Sequence, residues 1–129
     1  MARIYVVRHA EAAPGHPDEL RALTQAGHEQ ARALGARLAA EQPDAVVSSP
    51  LLRARQTAQA IARAAGLQPD VDERLAPGAG ADDVLAAVAG RGETVVVVGH
   101  QPDCGAAVAA LGGGLEPPFP PAGVHAVEV

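Results

Sequence analysis

The sequence predicts an α/β protein, a three-layer α/β/α sandwich around a mostly parallel central sheet. Three observations carry that prediction. Short, largely β-branched runs at Ile4–Val7, Ala45–Ser48 and Thr94–Val98 read as buried strands. Stretches of helical periodicity separate them, the alternation that places helices on both faces of a parallel sheet. A length of 129 residues, 48% apolar and 19% charged, suits one globular domain over residues 1–129 with an ordinary core.

Each element follows from local chemistry. Ile4–Val7 is bounded by Arg3 and Arg8, and a loop rich in Pro, Gly and acids runs from Glu11 to about Glu19. Thr24 reads as the N-cap of a helix reaching about Glu41, with Ala31, Leu34 and Leu38 on its apolar face and Glu29, Arg32 and Arg37 off it. After the break at Pro43-Asp44 comes Ala45–Ser48. Ser49 then reads as an N-cap with Pro50 at the first helical position. That helix is expected to run to Ala65, burying Leu51, Ala54, Ala58, Ile61 and Ala65, until Gly66 stops it. Val71 marks a minor strand, and Asp82 to Ala89 a short helix closed by Gly90. The four valines of Thr94–Val98 imply burial on both faces, as in the middle of a parallel sheet. A helix over Asp103–Leu111, an irregular Gly- and Pro-rich segment from Gly112 to Gly123, and an alternating edge strand at Val124–Val129 complete the chain.

Composition excludes several functions. The net charge is −5, and Tyr5 and Phe119 are the only large aromatics, so neither a basic track nor a stacking platform for nucleic acid exists. The single Cys104, expected to be a buried small apolar residue, excludes an internal disulfide or a Cys-rich metal site. No apolar run approaches the length of a membrane span; the longest, Cys104 to Leu115, is interrupted by Gly. The opening Met1–Val7 lacks the apolar core and cleavage site of a signal peptide, which makes a cytoplasmic enzyme or binding domain the default expectation. All ten positive side chains are Arg, with no Lys and 30 Ala; this reflects codon usage, so only the placement of Arg is informative.

Placement is where chemistry enters. Arg8 and His9 follow the first strand, Arg53 lies at the start of the helix after the second, and His100 follows the valine strand. In an open α/β sheet, ligands bind outside the carboxyl ends of the strands. Two Arg and two His would converge there on an anion. Arg offers forked donors matched to phosphate oxygens, and the helix start after Ser49 adds unpaired N–H groups. One imidazole can attack phosphorus while the other donates to the developing charge. No P-loop or metal-binding carboxylate cluster competes for the role. His16, His28 and His125 read instead as loop, helix-surface and edge-strand residues.

These residues sit in recognisable motifs. Val7-Arg8-His9-Ala10-Glu11 resembles the Arg-His-Gly signature of the histidine phosphatase superfamily, with Ala10 in place of Gly. Leu23-Thr24-Gln25-Ala26-Gly27-His28-Glu29-Gln30-Ala31 resembles its Leu-Thr-x-x-Gly-x-x-Gln-Ala stretch, and Ser48-Ser49-Pro50-Leu51-Leu52-Arg53-Ala54-Arg55-Gln56-Thr57-Ala58 its Ser-x-Leu-x-Arg-Ala-x-x-Thr-Ala helix start. Val98-Gly99-His100 is similar to its second-histidine motif. The resemblance implies the phosphoglycerate-mutase-like fold and a hydrolase with no metal or organic cofactor. It further implies that His9 is phosphorylated, that Arg8 and Arg53 clamp the phosphoryl oxygens, and that His100 completes the pocket. Arg55 falls outside the clamp. A fixed acceptor on the other nitrogen of His9 should select its tautomer.

One departure is informative. Larger members of the family place a general-acid Glu shortly after a stretch like Asp72-Glu73-Arg74-Leu75, where this chain has Ala76-Pro77-Gly78. Glu73, Asp82 and Asp83 are the candidate substitutes, each equally readable as a surface acid or cap, and Glu11, close to His9 in sequence, is a weaker candidate for proton transfer. An alkoxide needs such an acid to leave, whereas imidazole, with a conjugate-acid pKa of roughly 6.5, departs without one. The gap and the short chain resemble the small phosphohistidine phosphatases of the SixA type. The leading expectation is removal of phosphate from phosphohistidine in a signalling or phosphotransfer protein, with inorganic phosphate as product and no nucleic-acid or membrane partner. The alternatives are a phosphomonoesterase acting on small metabolites such as sugar phosphates, and a phosphate- or phosphoprotein-binding module without turnover.

Overall fold

The computed structural model describes residues 2–129; Met1, part of the opening stretch read above, lies outside them. Five strands form one sheet: β1 (Arg3–Arg8), β2 (Ala45–Ser48), β3 (Asp70–Val71), β4 (Thr94–Gly99) and β5 (Val124–Glu128). Their order is β3-β2-β4-β1-β5. The valine strand β4 is central, parallel to β1 on one side and to β2 on the other, as its uninterrupted apolar run requires. Strand β5 pairs antiparallel with β1 at the edge, in the register Val6↔His125.

The alternation of side chains along β4 divides the core into two layers. Val96 and Val98 pack with Val7 and Val46 against α1 (Gln25–Ala39) and α2 (Leu52–Ala65). Val95 and Val97 pack with Ile4, Val6 and Val47 against α3 (Ala81–Val88) and α4 (Asp103–Gly112). This is the three-layer sandwich the sequence predicts. Each fully buried Val or Ile contributes about 1.5–3 kcal/mol relative to exposure, so the strands that carry the site are also the best anchored.

Helix boundaries agree closely with expectation at α1, where the Thr24 side chain accepts the Gly27 N–H and Ala31, Leu34 and Leu38 are buried. Gly66 ends α2 in the left-handed region at φ 73°. Two details of α2 differ. Leu51 and Ala65 are only half buried, and Ala62 and Thr57 share the buried face with Ala54, Ala58 and Ile61. The start also differs: Leu51, not Ser49, occupies the cap position, and Pro50 precedes the helix. The buried Ser49 side chain is engaged by His100 instead. No helix among the described residues is long and apolar enough to cross a membrane.

Candidate active site

The register of the central strands decides what meets at their carboxyl ends. The Ser49 N–H donates to the Val98 carbonyl and the His9 N–H to the Gly99 carbonyl, both at 3.0 Å, so the chain continues its lateral pairing beyond the strands. In the spatial order β2-β4-β1 this sets Ser49, His100 and His9 side by side. The His9 and His100 rings lie 5.3 Å apart between centroids, tilted by 57°.

His9 is fixed by its own backbone. Its Nδ1 lies 2.7 Å from the Ala10 carbonyl oxygen, which can only accept, so Nδ1 carries the proton and Nε2 keeps its lone pair. This carbonyl is the acceptor that the sequence left unidentified. Ala10 is fully buried, and its N–H donates to Thr57 Oγ1 at 3.0 Å. The Thr57 hydroxyl in turn donates to the Arg53 carbonyl at 2.8 Å, tying the loop after His9 to α2. Gly27 has a similar role from α1: a Cβ there would overlap the Glu11 carbonyl, so the loop after His9 can lie against the helix only over a glycine.

Both arginines are held by groups distant in sequence. Arg8 Nη1 donates to the Phe119 carbonyl at 2.9 Å, and Phe119 is itself buried at 4% exposure. The Gly- and Pro-rich segment before β5 therefore forms part of the site's frame. Arg53, 6% exposed, donates from Nη1 to the Asp18 carbonyl at 2.8 Å and from Nη2 to the Asp18 carboxylate at 3.2 Å. Arg21 grips the other Asp18 oxygen at 3.0 Å while its Nε donates to the Ala13 carbonyl. Three buried side-chain polar atoms lack a partner among the described residues: Arg8 Nε, Arg53 Nε and His100 Nδ1. All three belong to the residues the sequence singled out. Buried polar groups normally find partners, and an oxyanion would supply acceptors for such donors.

The electrostatics keep both imidazoles neutral. Burial pushes His9 below the usual imidazole value and outweighs the opposing bond to Ala10, with Arg53 and Arg8 adding to the shift. Burial, then His9 and Arg53, push His100 down to about 4. Asp18 is held below the usual carboxylate range by its bonds to Arg21 and Arg53. Cys104 is buried, and burial pushes its thiol up to about 12, which leaves it inert beside the Val7 carbonyl.

None of the other sequence candidates bonds to Arg8, His9, Arg53 or His100 among the described residues. Glu73 is exposed in a 3-10 turn, Asp82 is exposed on α3, and the Asp83 carboxylate accepts the Gly80 N–H as a helix cap. Glu11 accepts from the Thr24 hydroxyl at 3.1 Å. Arg55 turns to the Pro50 carbonyl. His16 is exposed in the loop, His28 is exposed on α1, and His125 bonds the Pro118 carbonyl from the edge strand. Asp18 and Ser49 are the site neighbours that sequence reasoning missed. Asp18 sits in an acidic loop with no spacing signal, and Ser49 carried a strong but misleading helix-start signal. A groove of about 420 Å³ between α1 and α2, lined by Arg32, Gln56 and Arg63 among others, contains none of the four residues. A single phosphoryl group needs donors rather than volume.

The family model described as the histidine phosphatase superfamily (branch 1) matches residues 4–77, from β1 past the 3-10 turn at Glu73–Leu75. The chain belongs to the histidine phosphatase superfamily. Solved structures agree with this histidine phosphatase in fold. The protein histidine phosphatase SixA complexed with tungstate superposes with a TM-score of 0.88 at 28% identity, over 98% of this chain and 88% of that one. The assigned phosphohistidine phosphatase SixA of Agrobacterium tumefaciens gives a TM-score of 0.83 at 30% identity, over 98% and 91%. An uncharacterized protein of Picosynechococcus sp. is 37% identical over 112 residues, which are 79% of this chain and 68% of that protein.

Proposed function

We propose that this phosphatase takes phosphohistidine on a protein as its substrate and works through a covalent phosphohistidine on His9, with Arg8, Arg53 and His100 binding the phosphoryl oxygens. The observation that carries the reading is the set of unpartnered buried nitrogens on Arg8, Arg53 and His100, grouped at an imidazole whose Nε2 lone pair is free. Nε2 of His9 forms a bond to phosphorus as the P–N bond to the substrate imidazole breaks. The leaving imidazole departs as the neutral base when its distal nitrogen carries the proton. Water then attacks the His9 adduct, releases inorganic phosphate and restores the free ring.

The leaving group decides between substrates. The carboxylate bonded to the clamp is Asp18, and its two arginine partners keep it anionic near neutral pH, with no proton to give. Such a site favours imidazole over an alkoxide. The likeness to SixA proteins over nearly the whole chain supports the same choice.

Rapid quenching into alkaline detergent, after mixing with a radioactive phosphodonor, tests the chemistry. An acid-labile, base-stable adduct forms on the wild type and is absent from His9→Ala, whose turnover falls by roughly 10³-fold or more. Equal hydrolysis by both proteins would refute the covalent route. Turnover of phosphohistidine well above that of sugar phosphates supports the substrate assignment. The reverse preference replaces it with the metabolite reading.

A further inference from the structure

Ser49 Oγ stands 2.7 Å from Nε2 of His100 and 3.2 Å from the Leu51 backbone nitrogen. Ser49 is fully buried, so its hydroxyl proton must go to a protein acceptor. The Leu51 N–H is a donor and occupies one lone pair of Oγ; it cannot receive the proton. Nε2 of His100 is the acceptor within reach. A hydroxyl proton directed at Nε2 requires that nitrogen to be unprotonated, which in a neutral imidazole leaves the proton on Nδ1. Nδ1 is the buried nitrogen of His100 that has no partner among the described residues.

We propose that Ser49 is a positioning residue: its hydroxyl fixes His100 as the Nδ1–H tautomer, so that a neutral ring presents a hydrogen-bond donor to the phosphoryl group held at His9. The role rests on the phosphatase reading above. The two histidines are thereby set as opposites by different devices. A backbone carbonyl accepts the Nδ1–H of His9 and leaves Nε2 free for attack. A side-chain hydroxyl fills Nε2 of His100 and leaves Nδ1–H as a donor. Protonation of His100 would put hydrogens on both nitrogens and leave the Ser49 hydroxyl without an acceptor. Burial and the neighbouring positive groups already oppose that state.

Long-range proton–nitrogen correlation of the ¹⁵N-labelled imidazoles reads the tautomer directly in the wild-type protein, with the His100 signals assigned by their loss in His100→Gln. The expected pattern is Nδ1–H for His100, converting in Ser49→Ala to Nε2–H or a mixture. The kcat of Ser49→Ala falls by up to ~10²-fold, as when one transition-state donor is weakened, with KM little changed, and Ser49→Thr restores both tautomer and rate. A wild-type ring protonated on Nε2, or a Ser49→Ala protein with unchanged tautomer or unchanged kcat, overturns the assignment. The wild-type measurement can overturn the assignment even where Ser49→Ala does not fold, and Ser49→Thr then tests the hydroxyl. It is also independent of turnover, so loss of the phosphatase reading and loss of the Ser49 role give different results.

Discussion

Polar side chains around His9 and those in residues 72–83 obey different rules. Near His9, partners come from far along the chain: Arg8 reaches Phe119, Arg53 reaches Asp18, and His100 reaches Ser49. In residues 72–83 two of the four carboxylates serve local geometry. Asp72 accepts from Arg74, and Asp83 caps the helix that follows Gly80. A carboxylate whose oxygens are engaged by its own turn completes that turn and has little capacity left for a ligand. One held by a distant element is oriented by the fold as a whole, and its remaining donors stay directed where the fold points them. That contrast separates the candidate site from the stretch where larger relatives are expected to carry a general acid.

The contrast is sharpest in loss of rate. Arg53→Ala removes a guanidinium anchored at both Nη atoms and should lower kcat by about 10²–10³-fold, measured on phosphohistidine substrate. A loss no greater than that of an exposed arginine such as Arg37 would erase the distinction. The next effect is on stability. His100 takes a proton near 6.5 when unfolded but only near about 4 when folded, so the unfolded chain binds more protons between those values. The His100 contribution to stability is therefore complete above pH 6.5, declines as pH falls, and is lost below about 4. Melting temperatures of His100→Gln should fall less than those of the wild type between pH 7 and pH 5.

Smaller effects test the two carboxylates. Asp18→Asn keeps the backbone bond to Arg53 but removes a negative charge beside it, so inorganic phosphate should inhibit about threefold more tightly. Unchanged or weaker inhibition would show that Asp18 contributes orientation rather than charge. Asp83→Ala should leave kcat and KM at wild-type values and cost about 0.5–1 kcal/mol in urea unfolding, the scale of a lost helix cap. A rate defect there would place residues 72–83 back in the chemistry.

Much of this was legible in the sequence because strands declare their own ends. The run Thr94–Val98 places His100 beyond a buried parallel strand, and Ile4–Val7 does the same for Arg8 and His9, before any tertiary contact is known. Arg53 follows from the helix that begins after β2. What was not legible is the pairing between distant segments. The Ser49-Pro50 dipeptide obeys the local grammar of a helix start, and local grammar cannot anticipate an imidazole arriving from 51 residues away. Asp18 is one acid in an acidic loop until Arg53 is brought against it. The acceptor for His9 is a carbonyl, which every residue possesses, so its identity could not distinguish one position from another.

The bond from Arg8 to the Phe119 carbonyl has a consequence for how such chains are delimited. The family match ends at residue 77, and every recognisable motif lies before residue 101. Yet the first arginine takes its aim from a main-chain oxygen in a stretch of glycines and prolines that carries no signature at all. A version trimmed to its signatures would keep each named side chain and still let one guanidinium swing free. The catalytic unit is longer than the text by which it is recognised.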